Sequence, residues 1–216
     1  MNRSLSTLGV FLALLAAGCG GDAAAPTGDQ AAASDGSAPP SAPAPDTLHP
    51  RLRLVTNQGA ITVELDGENA PISVNNFLGY ADAGHYAGTV FHQVEPGFIA
   101  AAGGYTESLT EKATDQRPIR NEADNGLKNT RGTLACARSP EVIDSTTCQF
   151  FFNLADNTQL DHQGREPADY GYCVFGKVVE GFEVLDKIAA LPAAPQGELP
   201  SVPQQAVVIE RVTRVR

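Results

Sequence analysis

From Val90 to Gly104 the chain reads V-F-H-Q-V-E-P-G-F-I-A-A-A-G-G, which sets the polar heads of His92, Gln93 and Glu95 among the apolar Phe91, Val94, Phe98 and Ile99. Side chains of these types can hold an apolar ligand and aim a hydrogen bond at it. No nucleophile motif accompanies His92, which argues against a hydrolase. His49, His85, His92 and His162 lack the paired spacing of metal ligands, and the chain contains no C-x-x-C. What remains is recognition by apolar contact and directed hydrogen bonds, with no cofactor called for. By itself a strand pair bearing one histidine is ordinary sheet, so the neighbouring segments must decide.

Those residues need strands to position them. Pro96-Gly97 reads as a turn between two short, half-buried strands. Upstream, residues 51–56 and 60–66 alternate with period two around Asn57-Gln58-Gly59, a hairpin that puts Leu52, Leu54, Ile61, Val63 and Leu65 into one end of a core. Pro71 opens a helix that Gly84 stops, with Val74, Phe77, Leu78 and Ala81 at i, i+3, i+4 and i+7. Downstream, residues 105–120 form a polar loop, 131–138 and 149–154 read as strands, and 139–147 and 155–169 as loops. A strand at 172–179 follows, then a helix at 182–191 with Val184, Leu185, Ile188 and Ala189 inward, and a last strand at 206–215. Many strands and two helices predict a closed antiparallel barrel capped by the helices.

Three further blocks lie downstream: N-E-A-D-N-G-L-K-N-T-R-G-T-L-A-C-A-R (121–138), C-Q-F-F-F-N-L (148–154) and G-Y-C-V-F-G-K-V-V-E-G-F-E-V-L-D-K-I (171–188). With the opening stretch, and in this order, they resemble the cyclophilin family of peptidyl-prolyl isomerases in its bacterial form, over about residues 51–216. The resemblance implies a mainly β fold, an eight-stranded closed antiparallel barrel capped by two α-helices, within a domain spanning 49–216. It also implies a monomer without cofactor whose partners are proline-containing polypeptide segments.

An X-Pro bond faces a rotation barrier of about 18–20 kcal/mol and isomerises unaided in roughly tens to hundreds of seconds. A catalyst must hold the proline ring in an apolar pocket and favour the twisted amide, which a donor aimed at the prolyl nitrogen does. The positions matching the family's pocket are Phe98, Ile99, Phe151 and Leu160, with Ala137 and Gln149 beside them; Ile99 stands where the family usually has Met. Tyr172 matches a position that is His or Tyr in relatives, and His92 matches the family's His.

The catalytic positions depart from the pattern. The family motif is F-H-R-V-x-x-G-F-M-x-Q-G-G, so its essential Arg is Gln93 here and the Gln that holds the substrate carbonyl is Ala101. The Trp or Phe of the pocket mouth is Gln159. A neutral donor makes a hydrogen bond about half as strong as a charged one, which predicts a weakened isomerase or a proline binder without turnover. Arg138, just beyond the strand bearing Ala137, is either a partial replacement for the missing charge or a solvated surface residue.

The N-terminus predicts where this chemistry takes place. Arg3 precedes an apolar run from Leu8 to Ala17 that is too short to span a bilayer, so residues 1–18 read as a secretory signal. Leu15-Ala16-Ala17-Gly18-Cys19 resembles the lipobox of bacterial lipoproteins, which implies acylation of Cys19 and an anchored protein with its domain in the periplasm. Gly20 in place of Asp favours the outer membrane. Residues 19–48 are rich in Ala, Pro and Gly with almost no large apolar side chain, and read as a disordered tether. The formal charge of −10, or −11 once a signal carrying Arg3 is removed, argues against nucleic acid as a partner. Of the remaining thiols, Cys136 with Cys148 is a candidate disulfide; three buried, reduced thiols are the alternative.

Overall fold

The computed structural model describes residues 48–215, so the expectations for the signal, Cys19 and nearly all of the tether lie outside the described residues. Strand alternation builds the barrel. β1 (Arg51–Thr56) and β2 (Gly59–Leu65) pair in register from Arg51 opposite Glu64 to Thr56 opposite Gly59, and all five predicted apolar side chains are buried. The remaining barrel strands are β3 (Thr89–Val94), β4 (Ile99–Thr106), β5 (Thr133–Cys136), β6 (Phe150–Asn153), β7 (Val174–Glu180) and β10 (Val208–Val215). They close in the order β1-β10-β3-β4-β6-β5-β7-β2, all antiparallel, which is the expected mainly β, eight-stranded barrel.

Two helices cap it, α1 (Pro71–Asp82) and α2 (Phe182–Ala189). Pro71 begins α1 as predicted, but the capping group comes from far along the chain. The Glu122 carboxylate accepts from the backbone N–H of Ile72 and Ser73 and from the Ser73 hydroxyl, at 3.1, 2.8 and 2.8 Å. A carboxylate there satisfies N–H groups that the helix itself cannot. Inside the barrel, Phe77, Tyr86 and Phe150 meet edge to face or tilted at 5.0–5.3 Å between ring centres, the arrangement aromatic quadrupoles favour.

The structure corrects the sequence reading in two places and decides between the two readings of the thiols. The strand expected over 131–138 covers only Thr133–Cys136, because Gly132 turns the chain at φ +87° and Arg138 is drawn out to loop carbonyls. A two-stranded ribbon, β8 (Ala193–Gln196) with β9 (Leu199–Pro203), occupies a proline-rich segment that had carried no element. Prolines suit a ribbon whose outer edges need no N–H, and Ser201 fastens it to β3 by donating to the Val94 carbonyl at 2.6 Å. Finally, Cys136, Cys148 and Cys173 are free and buried, so the Cys136–Cys148 disulfide is not formed. Cys136 lies instead against Cys173, its backbone N–H donating to the Cys173 carbonyl at 2.9 Å.

Candidate functional site

A single row of side chains crosses the outside of the barrel. The ladder sets Gln93 opposite Ala101, Ala101 opposite Phe151, Phe151 opposite Ala135, and Ala135 opposite Val174, one residue from each of β3, β4, β6, β5 and β7. Their neighbours Ala100, Ala102, Phe150, Phe152, Leu134, Cys136, Cys173 and Phe175 point the other way, into the main core. Period two therefore puts this row on the opposite face. There Ala101, Ala135, Phe151 and Val174 form a second apolar cluster, flanked by Ile99, Leu127, Ala137, Leu160 and Tyr172. The predicted pocket residues Ile99, Ala101, Ala137, Phe151, Leu160 and Tyr172 thus come together. Leu127, Ala135 and Val174 were missed, although alternation within C-V-F-G and T-L-A-C could have marked the last two.

Gln93 reaches this face because of a fault in the ladder. Phe91 pairs with Ala102 and Gln93 with Ala101, which leaves His92 as the extra residue of a β-bulge. Phe91 and Val94 both point inward and Gln93 outward, a pattern strict alternation forbids. His92 itself is 4% exposed, its ring 4.6 Å from that of Tyr105 and its Nδ1 without a partner. Burial depresses its pKa to about 4, with the Val90 backbone pulling weakly the other way. The structure gives His92 the bulge position rather than a place in the row.

The Gln93 side chain is not idle. Its Nε2 donates to Glu95 Oε1 at 2.6 Å, two residues along the same face. The turn beyond is closed by Phe98 N–H donating to the Glu95 carbonyl at 3.0 Å and Glu95 N–H to the Ile99 carbonyl at 2.8 Å. The Phe98 carbonyl is fixed in turn by Leu154 N–H and by Asn157 Nδ2, both at 2.9 Å. Gln149 is partly buried and packs across Gly104, where any Cβ would collide with it.

Leu160 and Tyr172 are held by a polar hub that the sequence did not announce. Asn129 Nδ2 lies within hydrogen-bond reach of the carbonyls of Leu160 and Tyr172 and of Asp161 Oδ1, at 3.1, 3.2 and 3.2 Å. Asn153 donates to Asn129 Oδ1 and Asn157 to Asn153 Oδ1, so one buried network ties β6 to both loops of the pocket wall. Gln159, next to Leu160, is exposed. A cavity of about 440 Å³ opens elsewhere, bounded by Leu65, Lys128 and Lys177; it shares Leu127 and Val174 with the apolar cluster and so backs onto the same wall.

Arg138 is held in place rather than freely solvated. Its guanidinium donates to the carbonyls of Gly171, Ser139, Pro140 and Pro167 at 2.9, 2.9, 3.0 and 2.6 Å, and lies 4.9 Å over the Tyr172 ring. The Tyr172 ring meets Phe151 edge-on at 5.7 Å. Four of the five guanidinium N–H donors of Arg138 are thus spent on loop carbonyls, which holds the group against Tyr172 rather than aiming it at Gln93. Replacing Arg138 with Ala is expected to raise KM, or the Kd of a proline peptide, about tenfold with kcat little changed, since a held cation–π partner is worth roughly 0.5–2 kcal/mol. Arg138→Lys should restore little, because an ammonium cannot span four carbonyls. Equal KM in all three proteins would contradict this role.

Comparison with known proteins shows the family. Residues 51–214 match the family model described as cyclophilin type peptidyl-prolyl cis-trans isomerase/CLD. Peptidyl-prolyl cis-trans isomerase A of Dickeya dadantii is 48% identical over 164 residues, 76% of this chain and 84% of that one. Peptidyl-prolyl cis-trans isomerase B of Escherichia coli is 46% identical over 158 residues, 73% of this chain and 95% of that one. Among solved structures, a Cryptosporidium parvum cyclophilin type isomerase, crystallised in the presence of the dipeptide Ala-Pro, superposes with a TM-score of 0.62 at 25% identity, covering 77% of this chain and 99% of that one. Fold, outer-face cluster and relatives converge, and the chain belongs to the cyclophilin-type peptidyl-prolyl cis-trans isomerases.

Proposed function

We propose that this isomerase turns over slowly and binds proline-containing segments of exported proteins while tethered by lipid to the bacterial envelope. The observation that carries the slow turnover is the Gln93–Glu95 hydrogen bond of 2.6 Å, opposite an Ala101 whose side chain offers no hydrogen bond. The apolar cluster around Phe151 receives the proline ring. Gln93 is the donor nearest the family's catalytic position, and one of its two amide N–H groups is spent on the Glu95 carboxylate, which dictates where the other can point. A neutral, already engaged donor stabilises the twisted amide less than a free charged one. Without a carbonyl anchor at Ala101, the substrate is also less well aligned.

Turnover of an Ala-Pro peptide, measured beside a variant of the same chain with arginine at position 93, tests the slow step. Parity that persists when Glu95→Gln is added, so that no carboxylate captures the guanidinium, would show that Gln93 does not slow turnover. Absence of turnover in the natural protein, with peptide binding retained, would select the binding-module reading that the engaged Gln93 already favours.

The address rests on Leu15-Ala16-Ala17-Gly18-Cys19 and on the proline-rich stretch that follows. Cells given radiolabelled palmitate are expected to label the natural protein and to leave Cys19→Ser unlabelled. Equal labelling of both would remove Cys19 as the anchor.

A further inference from the structure

The side of the proline site formed by β3 carries a carboxylate with no cation beside it. Glu95 stands two residues from Gln93, hence on the same face, and one of its oxygens takes the Gln93 hydrogen bond. Among the described residues no Lys or Arg pairs with it, and Oε2 has no recorded partner. Its backbone is pinned on both sides, through Glu95 N–H to Ile99 and Phe98 N–H to Glu95. The hydrogen bond to Gln93, which pairs with Ala101 across the ladder, keeps the carboxylate at the β3 end of the row. Arg138 lies past the end of β5 with its guanidinium on loop carbonyls and the Tyr172 ring, and Lys128 pairs with Asp161 next to Leu160.

We infer that Glu95 makes the site select proline segments that carry lysine or arginine next to the proline, on the side that lies over β3. This deepens the proposed reading of the site and rests on it. A segment crossing the row from β3 to β7 passes Glu95 before its proline meets Phe151. A cation there gains a half-exposed ion pair, whereas an acidic residue meets like charge beside a donor already occupied. Gln93 strengthens the selection, since its hydrogen bond holds the carboxylate in one orientation instead of leaving it to swing into solvent.

The test uses the full-length protein in detergent and four fluorescent peptides, with Lys or Glu immediately before or immediately after a single proline. At one of the two positions Lys is expected to bind roughly five- to tenfold tighter than Glu, the range of a partly exposed pair. In Glu95→Gln that ratio falls to within about twofold. Salt at about 1 M, where screening acts within about 3 Å, should erase it in the natural protein. A preference for Glu at the other position, if it arises from Arg138, survives Glu95→Gln and so cannot be mistaken for this effect. If both peptides bind the natural protein equally, or if Glu95→Gln keeps the ratio, the inference is wrong while the proline site stands. If no proline peptide binds either protein, the reading of the site fails, and this inference with it.

Discussion

Changing Gln93 to Arg together with Glu95 to Gln is expected to raise kcat/KM for an Ala-Pro peptide by about 10²–10³, the usual worth of one well-placed transition-state donor. Gln93 faces outward opposite Ala101, so an arginine at the same Cα projects over the same apolar cluster. The single change Gln93→Arg should gain less, because Glu95, now 2.6 Å from the Gln93 amide, would capture the guanidinium. A charged pair at that distance is harder to separate than the present amide–carboxylate bond. The two substitutions are thus coupled, and their combined effect should exceed the sum of the single effects in log kcat/KM. Protease-free peptide isomerisation assays on the four proteins of this cycle read the coupling directly. A gain of less than about tenfold in the double variant would mean that Ala101, not the donor, limits turnover.

The residues of that cycle show how far a sequence can be read. Alternation alone placed Leu52, Leu54, Ile61, Val63 and Leu65 inside the barrel, and all are buried. Ile99, Ala101, Phe151, Leu160 and Tyr172, named through the family resemblance, lie in one apolar cluster. What could not be read were contacts that close over long sequence separations. Glu122 caps a helix about 50 residues upstream, and Asn129 reaches Leu160 and Tyr172 across two loops. Neither interaction leaves a periodic trace. Arg138 was visible as a charge, but its direction depended on four carbonyls, two beside it in the chain and two in 167–171. The bulge at His92 was hidden for a different reason: a slip of one residue changes no composition and yet reverses which neighbours face the core.

That bulge has a thermodynamic signature, a loss of about 3 kcal/mol of stability between pH 6.5 and pH 4 that depends on His92. The imidazole is 4% exposed, its Nδ1 has no partner, and burial holds its folded pKa at about 4 against an ordinary value of 6.5. Above pH 6.5 the ring is neutral in both folded and unfolded chains and contributes no slope. Between 6.5 and 4 the unfolded chain takes up a proton that the folded one refuses, so stability falls as pH falls. Below 4 both bind it, and the slope ends. A gap of two and a half units at about 1.36 kcal/mol each gives the magnitude. His85, also depressed by burial, acts in the same direction. Glu64, Asp66 and Asp82, held low by hydrogen bonds from Arg51, Asn69 and Arg214, act mainly below their ordinary values of 4.5, 3.8 and 3.8. The natural protein and His92→Phe share those other groups, so the difference between them isolates His92. Phe keeps a ring against Tyr105 without a nitrogen to protonate. Urea unfolding of both proteins at pH 7 and pH 5 should show the natural protein losing about 2 kcal/mol more than the variant over that interval. Parallel losses would mean that the bulge admits water or a partner to Nδ1, and that the histidine at its apex can charge in place.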